Sequence, residues 1–568
     1  MTKGWIATFL FGVFACTVVA SHVRAQQPTE PTASDDSVEE DARRTEDEGT
    51  GVTDAPSESG TDSTERDVEG AGQGASQGTN AASRSGGSSS PVSRPTRPGG
   101  ESGQSSGSEI APLRYELERI QVRGNVRTLE RVVLRYVKRR PGDVVDVDDP
   151  EWQLMQYRLL GTGFFQRVSL SLRKGSSQGK VILVIDVVER NTIVVSGLWM
   201  GLSADADTDG NARPLTAYAG ADVAETNLVG TGITVGAGMA FAQEQLALRA
   251  RYFNPSFFGT EWMTSATALY NDALEFYGNG HVLYDDHDNV TAKVVDYAVV
   301  RYRRLGGAVG VGRDLGVTWQ AWLDYRLERI DATLPFAASH HRGLDTEPID
   351  FGLNRGLSVL SIARLTLQHD TRDSPILPTR GSHTTLTAEA SLSALGSDYP
   401  FQRVTVATSK WFELPWNHVV GLGVFGGAIV GNAPIFERFY VGDFSDMLPS
   451  RLLGLNVDRR PPPNYLGTSI VEVRYGNYAA KVFGEYRIPL YRGSNAVYGV
   501  DFFGAAGLYT VASERDINDP PRGYSGVARV PVDLTFNAGL QIDTNAGGFA
   551  FAFSNVLGFI PVRSEARP

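Results

Sequence analysis

The chain has 568 residues, 62 of them glycine, and a formal net charge of -12. That length exceeds one ordinary domain, and the acidic balance excludes nucleic-acid binding as its main business. A mean hydropathy of -0.19 is no bar to a membrane barrel, whose strands meet water on one face and lipid on the other.

Residues 1–25 read as a secretory signal: Lys3, an apolar run from Trp5 to Ala20, and a small-residue exit site at Val23-Arg24-Ala25. The single cysteine, Cys16, falls inside it, so the mature chain is expected to carry no disulfide and no thiolate metal site. The apolar run continues past Cys16, which disfavours a lipoprotein anchor there. Beyond the signal no stretch approaches the ~18 apolar residues of a spanning helix. Residues 26–109 are acidic and then Gly/Ser-rich, with little to bury, and are expected to form a disordered linker. The run Gly103-Gln104-Ser105-Ser106-Gly107 has the spacing of a hydrolase nucleophile turn, but no strand precedes it and no helix follows.

Residues 113–190 carry a β-α-α-β-β pattern. Tyr115 to Val122 alternates as a strand and Gly124-Asn125 closes it. Val132, Val133, Tyr136 and Val137 recur at helical spacing until Pro141-Gly142-Asp143. A second helix is predicted from Glu151 to Leu160, ended by Gly161-Thr162-Gly163, and strands follow from Phe165 and from Val181 to Val188.

From residue 193 to 560 the period becomes two. Thr234, Gly236, Gly238 and Ala240 interleave with Val235, Met239 and Phe241, and Thr535, Asn537, Gln541 and Asp543 with Phe536, Leu540 and Ile542. Strands of about ten residues with one greasy face cross a bilayer at a tilt. Eight candidates precede Pro378, three more reach Val430 and four follow a long loop, with no clear closing strand near Ile560-Pro561-Val562-Arg563. The fold class is therefore mainly β: a transmembrane antiparallel barrel of about sixteen strands behind one small α+β domain.

No catalytic constellation emerges. His281 and His287 flank Asp285-Asp286, and His340-His341 sits in a predicted external loop; both read as solvated groups, and neither a metal nor a cofactor is expected. Asp370, Arg372, Asp373 and Arg380 span a Pro-rich turn and read as a structural ion-pair cluster at the rim.

Several motifs in fixed order carry a resemblance. They are Ile120-Gln121-Val122-Arg123-Gly124-Asn125, Pro141-Gly142-Asp143, Gly161-Thr162-Gly163-Phe164-Phe165, Asn227-Leu228-Val229-Gly230-Thr231-Gly232 and Asn254-Pro255-Ser256-Phe257-Phe258-Gly259. Val187-Val188-Glu189, Asp370-Thr371-Arg372-Asp373 with Pro378-Thr379-Arg380-Gly381, Gly484-Glu485-Tyr486-Arg487-Ile488-Pro489-Leu490 and Ile542-Asp543-Thr544 complete the set. Together they resemble the BamA/TamA insertase family of outer-membrane proteins, with one POTRA domain before a bacterial surface antigen-type barrel. The resemblance implies a non-enzymatic protein of the outer membrane whose POTRA domain lies in the periplasm. The bilayer and unfolded client outer-membrane proteins are its implied partners, with periplasmic or lipoprotein partners besides. It further implies a loop arginine in the lumen held by acids of the wall. Arg451, close to Gly454, takes that place, although the family's adjacent Arg-Gly is split here. Glu485 matches one acid; the second falls at Gly504, and an odd offset puts Asp501 on the opposite face from it. A secretion transporter of the two-partner type and a passive porin or structural barrel are the alternatives. The resemblance also implies that client strands pair with the edge of the first barrel strand, or with a POTRA edge at Phe165 to Leu172 or Val181 to Val188.

Overall fold

The computed structural model describes residues 114–277, 282–285, 293–335, 337–445, 451–459, 463–493 and 496–554. The expected signal, the linker, His281, His287 and the stretch Ile560 to Arg563 lie outside them.

The N-terminal domain runs β1 (Arg114–Arg123), α1 (Glu130–Arg135), β2 (Val144–Asp146), α2 (Glu151–Gly161), β3 (Phe165–Lys174) and β4 (Lys180–Glu189). Its sheet order is β2-β1-β4-β3, with β1 and β4 parallel. The two helices bury Val133, Met155 and Leu159 against Leu117, Leu183 and Ile185 of the sheet. Gly124 turns the chain out of β1 at φ +83°, where any side chain would strike the carbonyl oxygen of Val187. Asn125 secures the same turn, its Nδ2 donating to the Thr128 carbonyl over 3.1 Å. Pro141-Gly142 leads into β2, and the Gly142 N–H donates back to the Leu117 carbonyl over 2.7 Å. Gly163, at φ +74°, turns the chain after α2 so that Phe165 enters the core.

Three expectations change here. The first helix stops at Arg135, a full turn earlier than the apolar spacing suggested. A short strand, β2, follows Pro141-Gly142-Asp143 and pairs with β1. Val181 to Val188 is not an edge: β4 is bonded on both sides, which leaves β3 as the long free edge. A strand rich in Val and Ile on both faces is the signature of an interior position, and β4 reads Val-Ile-Leu-Val-Ile.

Among the described residues fifteen further strands form one sheet. The first seven are β5 (Ile193–Ala206), β6 (Ala212–Glu225), β7 (Thr234–Ala242), β8 (Gln245–Asn254), β9 (Trp262–Tyr277), β10 (Ala298–Asp314) and β11 (Trp319–Thr333). Then come β12 (Gly356–Asp370), β13 (Gly381–Ser391), β14 (Phe401–Glu413), β15 (Val419–Gly431), β16 (Tyr478–Arg492), β17 (Val497–Ala512), β18 (Val532–Thr544) and β19 (Gly547–Ser554). Each pairs antiparallel with the next. Alternation sorts the faces: on β7, Thr234 and Ala240 are buried while Val235, Met239 and Phe241 are exposed.

The first and last strands, β5 and β19, are the two ends of this sheet. They meet at the end nearest the N-terminal domain, where the Val195 N–H donates to the Ala546 carbonyl over 2.7 Å. The N-terminal domain is pinned to that same end. Leu129 N–H donates to Gly230 O over 2.9 Å, and Arg158 pairs with Asp314 and donates to Gly316 O. Arg190 reaches Asp543 at 2.6 Å. At the far end the segments Val282–Asp285, Lys293–Val295, Ala337–Arg342 and Asp345–Pro348 form a small second sheet. Within it Arg342 pairs with Glu347 at 3.2 Å, and Arg342 also ties it to Asp516 at 3.0 Å.

Candidate functional site

The interior of the large sheet is occupied by its own chain. The loop between β15 and β16 places Ile435, Phe436, Phe439, Tyr440, Leu452, Leu455 and Tyr475 in one buried cluster with Ala247, Ala273, Tyr302, Ile362, Ile429 and Ala479 of the wall. Small wall residues make the room. At Gly427 of β15 a side chain would run into the Phe439 ring.

Arg451 lies in a hairpin of this loop, where Arg451 pairs with Asn456 and Leu452 with Leu455. The two turn residues between them are Leu453 at φ 48° and Gly454 at φ 88°, the left-handed pair that a tight hairpin of this twist requires. The split Arg-Leu-Leu-Gly sequence is thus a two-residue turn with its arginine at the base. Its tip is fastened to β9, since Asn271 Nδ2 donates to Leu453 O over 3.0 Å.

The partner of Arg451 is Glu275 of β9, at 3.1 Å, and not Glu485. Glu275 is buried and also accepts from Tyr302 at 3.1 Å, Tyr475 at 2.6 Å and Asn456 at 2.9 Å. The Arg451 guanidinium lies 5.1 Å from the Tyr440 ring centre and 5.8 Å from that of Tyr475. A planar cation beside two packed rings and facing one carboxylate suits arginine better than lysine.

A second junction was not singled out from the sequence. Glu437 of the loop is buried among wall arginines: Arg326 of β11 at 2.5 Å, Arg403 of β14 at 3.0 Å and Arg304 of β10 at 3.6 Å. Glu328 bridges Arg304 and Arg326, and Glu389 bridges Arg364 and Arg403. The signal was present in β11, where Asp324, Arg326 and Glu328 alternate with Leu323, Tyr325 and Leu327. Charge at every second position of a greasy strand marks an interior face.

The remaining expected residues are placed elsewhere. Glu485 accepts from Gln541 at 2.9 Å and pairs with Arg487 at 3.2 Å, near the end that carries the N-terminal domain. Asp501 pairs with Arg487 at 3.6 Å and with Arg492. It opposes Pro489 in the sheet and so shares the interior with Glu485, whereas Gly504 opposes the exposed Tyr486. In the turn before Gly381, Arg372 holds Asp370 at 2.6 Å and Arg380 pairs with Glu413. Asp373 makes no ion pair among the described residues; it accepts from the Thr379 N–H at 2.8 Å and the Arg380 N–H at 3.1 Å, a local turn cap. The Pro378 carbonyl accepts from Arg487, which links this turn to Glu485 and Asp501. Gly381, at φ +95°, allows Thr371 to lie against it.

Comparison with known proteins follows from this geometry. Residues 227–557 match the Omp85 superfamily domain, and residues 115–190 match the POTRA family, described as the surface antigen variable number repeat. A curated relative is the outer membrane protein assembly factor BamA of Nitratidesulfovibrio vulgaris, 24% identical over 332 residues. The match takes in 57% of this chain but only 36% of that relative, so the chain spans about a third of its length. Among solved structures, BamA from Haemophilus ducreyi lacking POTRA domains 1–3 is similar at 16% identity with a TM-score of 0.42, covering 80% of this chain and 82% of that one. CdiB from Escherichia coli is similar at 11% identity with a TM-score of 0.48, covering 78% and 73%.

Proposed function

The chain belongs to the Omp85 superfamily, and from that premise we propose that it assembles client barrel proteins at the outer membrane without catalysing a chemical step. The barrel lies in the outer membrane and the POTRA domain in the periplasm. The observation that carries the proposal is the plugged interior. Loop residues fill the lumen and are latched to the wall at Glu275 and at Glu437, an arrangement unsuited to passive flow of solutes.

What remains open to a client is backbone. Strand β5 ladders with β6 alone, so beyond the bond from Val195 N–H to Ala546 and the one Ala204 accepts from Arg459, its other edge presents donors and acceptors with no partner strand among the described residues. Unpaired backbone groups facing lipid cost several kcal/mol each. An incoming strand of a folding barrel satisfies them by pairing with that edge. The long edge of β3 offers the same chemistry in the periplasm. Barrels fold slowly because distant strands must pair before closure, and a preformed edge shortens that search. The step needs no nucleotide.

Two measurements on purified full-length protein in liposomes test this. Folding of a chemically unfolded test barrel should be faster in its presence, and planar bilayers containing it should stay nearly closed. Unassisted folding together with steady conductance would instead make it a porin.

A further inference from the structure

Three of the periplasmic turns share one backbone. Val229-Gly230, Phe258-Gly259 and Trp416-Asn417 are each two successive residues with φ between 49° and 75°. Reversals of this hand favour Asn-Gly or Gly-Gly. A β-branched or aromatic residue at the first position is strained by its own Cβ. Protein contacts usually compensate such strain, yet here they are few: Phe258 meets Phe257 and Trp416 lies near His418, while Val229 is 85% exposed, Phe258 88% and Trp416 84%. Turn chemistry does not select these side chains, and neither does the core.

Their surroundings point to what does. Val235, Trp262, Trp319, Phe412 and Tyr486 are exposed on strand ends next to the periplasmic turns, so the turns continue the lipid-facing surface at its lower rim. At the Phe258 turn the POTRA domain adds charge. Arg135 donates to the Thr260 carbonyl over 3.4 Å, which brings α1 against this turn. Glu261 is paired with Arg313 at 2.7 Å. Its carboxyl is held below the ordinary range first by that arginine and then by Lys138 and Arg140 nearby. Lys138 and Arg140 are exposed and make no ion pair among the described residues.

We propose that these three turns are membrane anchors that seat Val229, Phe258 and Trp416 in the headgroup layer of the periplasmic leaflet, and that Lys138 and Arg140 give the Phe258 anchor a preference for anionic phospholipid. Aromatic and aliphatic side chains gain by entering that layer, and cations beside it gain from a negative surface. The POTRA domain is thereby held against the membrane on the side of α1. This reading rests on the membrane location of the barrel and not on client handling.

The test uses the full-length chain with Cys16→Ser and one new cysteine at a time: Val229→Cys, Phe258→Cys, Trp416→Cys, and Ser177→Cys as a solvent-exposed reference on the β3–β4 turn. Each carries a nitroxide label and is reconstituted into phosphatidylcholine vesicles with or without phosphatidylglycerol. Oxygen should relax the three anchor labels more strongly than a water-soluble nickel chelate does, the reverse of position 177. Phosphatidylglycerol should lower nickel access at position 258 by roughly twofold or more. Lys138→Glu with Arg140→Glu should abolish that change and leave position 416 as it was. Anchor labels as open to nickel as position 177 overturn the insertion. A shift at 258 produced equally by inorganic phosphate overturns the lipid preference. Shielding of the labels by an unfolded barrel peptide in lipid-free detergent, without oxygen enrichment in vesicles, would make the turns a protein-docking surface instead.

Discussion

Glu437→Gln isolates the loop latch. Four guanidinium groups (Arg304, Arg326, Arg364, Arg403) surround three carboxylates (Glu328, Glu389, Glu437) in the buried network. The substitution keeps the volume of residue 437 but leaves four cations facing two anions. Removing one partner from a buried ionic cluster costs about 3–5 kcal/mol. Glutamine retains an acceptor, so the low end applies, about 3 kcal/mol. At about 1.4 kcal/mol per decade, the balance between seated and released loop moves on the order of a hundredfold. Trypsin digestion of the folded barrel reads this through cleavage after Arg438, Arg451 or Arg459, all within the loop. Bilayer conductance reads it through bursts of opening. Adding Arg326→Gln restores the charge balance and should recover part of the loss. Cleavage and conductance within about twofold of the parent, the scatter expected of uncoupled sites, would refute the latch.

Arg451→Ala and Glu275→Gln should each lower the temperature at which the barrel loses its compact form on unboiled gels, and should slow client folding. Arg451→Lys should rescue poorly, because a point ammonium cannot reproduce the planar guanidinium's contacts with Glu275, Tyr440 and Tyr475. Gly454→Val places a Cβ at φ 88° and 2.5 Å from Asn271 Nδ2; the hairpin should detach, seen as faster amide exchange at residues 451–456. Asp314→Asn removes the carboxylate shared by Arg158 and Arg135. Amide exchange should then rise at residues 315–318 and in α2, with the barrel melting point unchanged. His340, expected to be a solvated loop residue, is instead buried in the strand Ala337–Arg342, and burial lowers its pKa below 6.5 against the opposing pull of Glu347. The unfolded chain therefore takes up the proton first, so stability is full above about pH 6.5 and falls as pH drops toward the folded value. His340→Gln should flatten that acid limb of an exchange profile for residues 337–348.

The two-residue rhythm determined the large sheet, because a strand between water and lipid must alternate and has few ways to conceal it. Eight strands before Pro378, three to Val430 and four after the long loop are the fifteen observed. Glycines at forced positive φ marked the POTRA turns, since no side chain fits against Val187 at Gly124. Arg451 was legible as a loop arginine; its partner was not. Glu275 and Glu485 are both acids on inward faces of strands, and local pattern gives them equal claim. The choice depends on where a loop of some 45 residues lands across the lumen, which is set by packing of Phe439, Leu455 and Tyr475 against the wall. Glu437 escaped notice for the same reason: its three arginines come from β10, β11 and β14, 99 residues apart at the extremes. The POTRA edge, by contrast, was legible: the Val-Ile-Leu-Val-Ile run marks β4 as interior, and the pairing leaves β3 at the edge. Periodicity fixes which side of a strand faces inward; only the tertiary fold fixes which inward groups meet.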